Sequence, residues 1–111
     1  MKFVNLTPHT IKIVALATDG KEIVVEPSGT IARVETIEKV IAEVDGIPIV
    51  KRTFGEVKGI PAPEEGVGYI VSAMVLSAVK GRIDVYAPDT GSTAIRNDKG
   101  QIEAVTRLVR A

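Results

Sequence analysis

Residues 40–53 read VIAEVDGIPIVKRT. Two β-branched apolar runs, Val40 to Val44 and Ile47 to Thr53, stand on either side of Asp45-Gly46. An Asp-Gly pair in that setting is a strong local hairpin signal, because the tight turn needs positive φ and glycine adopts it at no steric cost. The stretch therefore predicts two antiparallel strands. Lys51 and Arg52, near the end of the second arm, mark it as solvent-exposed or an edge.

The same grammar runs outward in both directions. Upstream, Ile11 to Leu16 reads as a strand, Asp19-Gly20 as a tight turn, and Glu22 to Glu26 as the returning strand. Pro27-Ser28-Gly29 turns the chain again, into an expected strand from Thr30 to Glu35 with Ile31 and Val34 as its apolar contribution. Downstream, Ile60 to Gly66 is the clearest loop, since its two prolines remove donors and its two carboxylates resist burial. Tyr69-Ile70-Val71 reads as a short strand. Ser72 can cap a helix over Ala73 to Lys80, with Gly81 as its stop. That segment is apolar nearly all round, so it is expected against the sheet or against another subunit. Val85 to Ala87 and the two arms around Asn97-Asp98-Lys99-Gly100 complete the strands. The expected fold class is α+β: a β-rich small domain of antiparallel hairpins with one or two short helices, forming a single ligand-binding domain over residues 1–111.

Composition narrows the function. Fourteen basic and 14 acidic residues cancel, which argues against a general binder of long nucleic acid or membrane surfaces. The absence of cysteine removes disulfide scaffolds, thiolate zinc sites and cysteine nucleophiles. No apolar run approaches the roughly 18 residues of a membrane span, and the N-terminus is too short and polar for a signal peptide. The expected location is the cytoplasm.

Catalytic signatures are few. His9, in Leu6-Thr7-Pro8-His9-Thr10, is the only histidine, and a lone histidine beside a proline turn is more often a structural hydrogen-bonder than a base or metal ligand. No calcium-loop spacing, dinucleotide fingerprint or Walker pattern occurs. Ser72, Ser77 and Ser92 lack a nucleophile-elbow context, and no carboxylate pair is singled out by spacing. The expectation is a protein that is not an enzyme and holds no metal or cofactor.

Polar equipment concentrates in VYAPDTGSTAIRNDKGQIEAVTRLVR, Val85 to Arg110. In Pro88-Asp89-Thr90-Gly91 an aspartate can accept backbone donors and a glycine can expose amides toward a ligand. Tyr86 offers a planar face beside that turn. Arg96 and Asn97 follow near a hairpin tip, and Arg107 and Arg110 come from the last strand. Arginine suits phosphate through its forked geometry, asparagine can read a base edge, and an aromatic face under a base is worth roughly 1–3 kcal/mol. Two readings stay open on residues alone: a nucleotide-holding surface, or a solvated hairpin whose turn is Asn97 to Gly100.

Four phrases, in order, cover most of the chain: VNLTPHTI (Val4 to Ile11), PSGTIARVE (Pro27 to Glu35), GIPIVKRTFGEVKGIPAPEEGVGYIVSAMV (Gly46 to Val75) and PDTGSTAIRNDKGQIEAVTRLVR (Pro88 to Arg110). Together they resemble the first type of phage Thoeris anti-defence sponge. Those proteins sequester cyclic ADP-ribose isomers made by bacterial TIR-domain immune enzymes, without hydrolysing them. The resemblance implies a homo-oligomer, a hexamer built from dimers, with pockets at subunit interfaces. It also implies an aromatic ring stacked on adenine and arginines on the diphosphate. Tyr86 is then the aromatic candidate and Arg33, Asn97 and Arg107 the polar ones, with Asp89, Thr90, Arg96 and His9 completing the ligand-binding set. The expected partners are cyclic ADP-ribose isomers or related cyclic nucleotides. Competing readings are a small phage structural or interaction protein and a cyclic-nucleotide hydrolase.

Overall fold

Short strands closed by turn residues make up most of the computed structural model, which describes residues 2–79 and 81–111. In chain order they are β1 (Lys2–Asn5), β2 (Ile11–Ala15), β3 (Lys21–Val25), β4 (Arg33–Val44) and β5 (Ile47–Lys58). Then follow β6 (Val67–Ile70), helix α1 (Ala73–Ala78), β7 (Val85–Pro88), β8 (Ile95–Arg96), β9 (Ile102–Ala104) and β10 (Leu108–Arg110). This is a small β-rich domain with antiparallel hairpins and one short α-helix. No helix among the described residues is long and apolar enough to cross a membrane.

Asp45 and Gly46 sit at φ of 51° and 79°, the pair of left-handed conformations that a tight two-residue hairpin turn demands. Val44 faces Ile47 across it. The hairpin is longer than the sequence suggests, because β4 and β5 each run for 12 residues. Thr30 to Ala32 is not strand; Arg33 to Glu35 instead opens β4. The physical reason is an anchor at the root. Ala32 is buried and its N–H donates to the Leu6 carbonyl at 2.9 Å, so the chain is tied to the body there and leaves it as an arm. At about 3.4 Å per residue the arm is roughly 40 Å long. The radius of gyration, 16.7 Å, accordingly exceeds the ~13 Å of a compact domain of this size.

The β2–β3 hairpin also departs from expectation. Its link is not Asp19-Gly20 alone: β2 stops at Ala15, a 3-10 turn spans Leu16–Thr18, and Asp19 and Gly20 follow at φ of 58° and 74°. Helix α1 ends at Ala78, short of the expected end; Lys80 lies outside the described residues, as does Met1. Ser72 caps α1 as predicted, its side chain accepting from the Val75 N–H at 3.3 Å. The helix buries only Val75 and Leu76 and leaves Met74 exposed.

The centre is a four-stranded sheet in the order β1-β6-β7-β10. Here the hairpin expectation gives way, because β1 pairs with β6, and β6 with β7, in parallel. Parallel neighbours need a crossover, and α1 supplies it between β6 and β7. Side-chain alternation then sorts two cores. On one face Tyr69, Val71, Val85 and Ala87 pack with Leu6, Ala32 and the helix residues Val75 and Leu76. On the other Ile70 packs with Ile11, Ile13 and Val105, with Phe3, Val25 and Leu108 alongside.

Candidate ligand pocket

One polar residue shapes the candidate site from within. Asn5 ends β1 at only 1% exposure. Its amide Nδ2 donates to the His9 carbonyl at 2.7 Å and the Val25 carbonyl at 3.0 Å. Its Oδ1 accepts from the Thr7 N–H at 2.9 Å and lies 2.7 Å from the Thr7 hydroxyl. An asparagine accepting from the amide two residues on is an Asx turn, and here it bends Leu6 to Thr10 into a fixed loop. Every buried polar side-chain atom among the described residues has a partner.

That loop walls a cavity of about 580 Å³. The other walls are the strand-to-helix junction Val71-Ser72-Ala73, the residues Pro88 and Thr90 after β7, and Ile102 to Val105. Most of the lining is apolar. Its charged groups are Lys12 and Glu103, and Lys12 Nζ already stands 3.7 Å from Glu22. The cavity therefore carries no net charge of its own.

The eight sequence candidates fall into three groups. His9 and Thr90 line the cavity. Asp89, Arg96, Asn97 and Arg107 gather around the segment that follows β7, with their polar groups engaged inside the chain. Asp89 accepts from the Gly91 N–H at 3.0 Å and from Arg107 Nε at 2.6 Å. The Gly91 amide, and after it the Arg107 guanidinium, hold the Asp89 carboxyl below the usual carboxylate range. Arg96 donates to the carbonyls of Gly100 and Thr90 at 2.8 and 3.1 Å. Asn97 Oδ1 accepts from the Lys99 and Gln101 amides at 2.9 and 3.0 Å, a second Asx turn that closes the β8–β9 hairpin.

Tyr86 and Arg33 stand apart from the cavity. The Tyr86 ring packs edge-to-face on Phe3, centroids 6.0 Å apart and planes at 83°. Both rings cross over Gly68, where an added Cβ would meet Phe3 Cε1 at 3.0 Å and Tyr86 Cε2 at 3.1 Å. Alternation turns Tyr86 to the face of the sheet that Ile70 shares, away from Val85 and Ala87. Arg33 is exposed at the root of the arm, opposite Lys58, and its guanidinium has no hydrogen-bond or ion-pair partner among the described residues.

Sequence reasoning passed over three residues of structural weight. Asn5 carried a legible signal, since Asn-x-Thr before a proline is turn chemistry. Arg82 and Asp84 carried none: their bidentate pair, 2.8 Å for both Nε to Oδ1 and Nη2 to Oδ2, also ties Pro61 through the same guanidinium. Hydrogen bonding to Arg82 holds the Asp84 carboxyl below its ordinary range.

Comparison with protein-family models, curated proteins and solved structures finds no match.

Proposed function

We propose that this α+β domain is a non-catalytic, cytoplasmic binder of cyclic ADP-ribose-type signalling nucleotides, an anti-defence sponge of the kind its sequence resembles, acting as a homo-oligomer. The observation that carries the reading is the cavity walled by Thr7 to Lys12. Its volume, about 580 Å³, falls within the roughly 300–1,000 Å³ of small-molecule sites, and its apolar walls with a few polar groups follow the usual pattern. His9, Lys12, Ser72 and Thr90 would orient the ligand. A diphosphate needs more positive charge than Lys12 provides against Glu103. In an oligomer a neighbouring copy would bring the unpaired Arg33 to the cavity, while Asp89, Arg96, Asn97 and Arg107 hold the segment that presents Thr90.

Isothermal titration with cyclic ADP-ribose isomers, followed by mass spectrometry of ligand released on heating, tests this. Saturable binding and intact recovery support the sponge. Recovery of a cleaved product makes the protein a hydrolase. Absence of binding by every isomer returns it to the second reading, a phage structural or interaction protein, which the exposed apolar arm favours.

A further inference from the structure

The arm formed by β4 and β5 exposes large apolar side chains along its length, among them Ile37, Val40, Val44, Ile47 and Phe54. A two-stranded hairpin is at best marginally stable in water without a partner surface. Its two faces differ in a way that identifies the partner.

Cross-strand partners share a face. On one face Thr36 is opposite Phe54, Glu38 opposite Arg52 and Val40 opposite Val50. The charges there are matched within the chain, Arg52 Nη2 lying 2.7 Å from Glu38 Oε1. On the other face Ile37 is opposite Thr53, and beyond the register shift Ala42 is opposite Ile49 and Val44 opposite Ile47. Between those apolar pairs Lys39 stands directly opposite Lys51. Two like charges so placed destabilise a hairpin that stands alone. Alternation puts Glu35 on this same face, two residues before Ile37. It lies over Gly55, where a Cβ would be 3.2 Å from its Oε2. Neither lysine, nor Glu35, has an ion-pair partner among the described residues.

We propose that this face binds the same face of a second copy about a two-fold axis near Ile37. Two such arms laid antiparallel place Lys39 and Lys51 of each copy against Glu35 of the other, because both positions lie two residues from the axis. Ile37 then packs at the centre, and the Val44 and Ile47 tips reach past the partner's root onto its body. The areas fit. One face of the arm is roughly 40 by 10 Å from strand length and spacing, near 400 Å². Each copy contributes that face once and the body surface under its partner's tip once, which approaches the ~800 Å² per partner of a standard interface. The contact is isologous, as a two-fold dimer requires. It needs no bound nucleotide, so it stands whether or not the cavity holds one.

Light scattering coupled to size-exclusion chromatography at micromolar concentration tests it against the 11.8 kDa monomer mass. The wild type should give an even multiple of that mass. Val44→Asp/Ile47→Asp should lose half or more of it with an unchanged far-ultraviolet circular dichroism spectrum. Lys39→Glu/Lys51→Glu should do the same, and adding Glu35→Lys should restore the wild-type mass. A monomeric wild type overturns the proposal, as does a wild-type mass in both sets of variants. Failure of Glu35→Lys to restore the charge-reversed variant overturns the two-fold register.

Discussion

Replacing Asn5 by alanine should destabilise the protein by about 3 kcal/mol. The figure follows from its bonds. The Nδ2 donations to the His9 and Val25 carbonyls, at 2.7 and 3.0 Å, disappear, and so does the acceptor for the Thr7 N–H at 2.9 Å. Each such bond is worth about 1 kcal/mol net, and backbone groups left buried and unpaired cost at least that. The Thr7 hydroxyl partly compensates, since the His9 carbonyl is 3.1 Å from it. At about 4 °C per kcal/mol for a chain of this length, the melting temperature should fall by about 12 °C. Differential scanning calorimetry and urea unfolding both read this. Asn5→Asp provides the control. It keeps the shape and the acceptor but turns a carboxylate toward two carbonyl oxygens, so near neutral pH it should cost at least as much as alanine. A drop below about 3 °C in Asn5→Ala, or an Asn5→Asp variant as stable as wild type, would refute the view that this side chain holds the Leu6 to Thr10 loop.

Tyr86→Ala should cost about 2–3 kcal/mol of stability, since a half-buried ring packed on Phe3 is truncated, whereas Tyr86→Phe should unfold within about 1 kcal/mol of wild type; equal melting temperatures for all three proteins would contradict the packing. Arg33→Ala should leave the melting temperature unchanged and weaken nucleotide binding about 10- to 100-fold, the loss expected for one charge-assisted bond; unchanged affinity in titration removes Arg33 from the site. Asp84 has a lowered folded-state pKa, so the Arg82 pair contributes fully above the unfolded value of about 3.9 and is lost as pH falls through the lower folded one. The urea midpoint of Asp84→Asn should therefore fall less than that of wild type between about pH 5 and pH 2, and parallel curves would exclude the pair as a contributor. Gly46→Ala, at φ 79° with no atom within 4 Å of its added Cβ, should cost only the ~1–2 kcal/mol of left-handed strain. Gly59→Ala adds a 2.7 Å approach to the Ile31 carbonyl at φ 90°, and thermal melts should rank it clearly below Gly46→Ala.

The turns were legible because their chemistry is local. Asp45-Gly46 specifies its own positive φ pair, Ser72 carries the oxygen that caps α1, and Asn97 with Gly100 (φ 78°) closes the β8–β9 hairpin from within five residues. The same local terms made Val85 to Arg110 prominent, since a cluster of polar side chains is visible in sequence whatever those side chains do. Their destinations were not visible. Whether Asp89 and Arg107 face a ligand or each other depends on β10 lying beside β7, a pairing across an intervening hairpin.

The sequence by itself determined where the chain turns and which stretches extend, because φ/ψ preference, capping and period-2 patterning act over a few residues. Tertiary structure decided which strands are neighbours. Lys2–Asn5 reads as a short polar-ended segment, and it becomes an edge of the central sheet only by pairing in parallel with Val67–Ile70, with β2 to β5 between them. The direction of that pairing fixes the rest. It buries Asn5 where it can bend the Leu6 to Thr10 loop, aligns Phe3 with Gly68 so that the Tyr86 ring has a partner, and leaves β4 and β5 to run outward as an arm. None of these follows from neighbours in sequence, because each depends on backbone hydrogen bonds and burial between segments that meet only once the chain has folded.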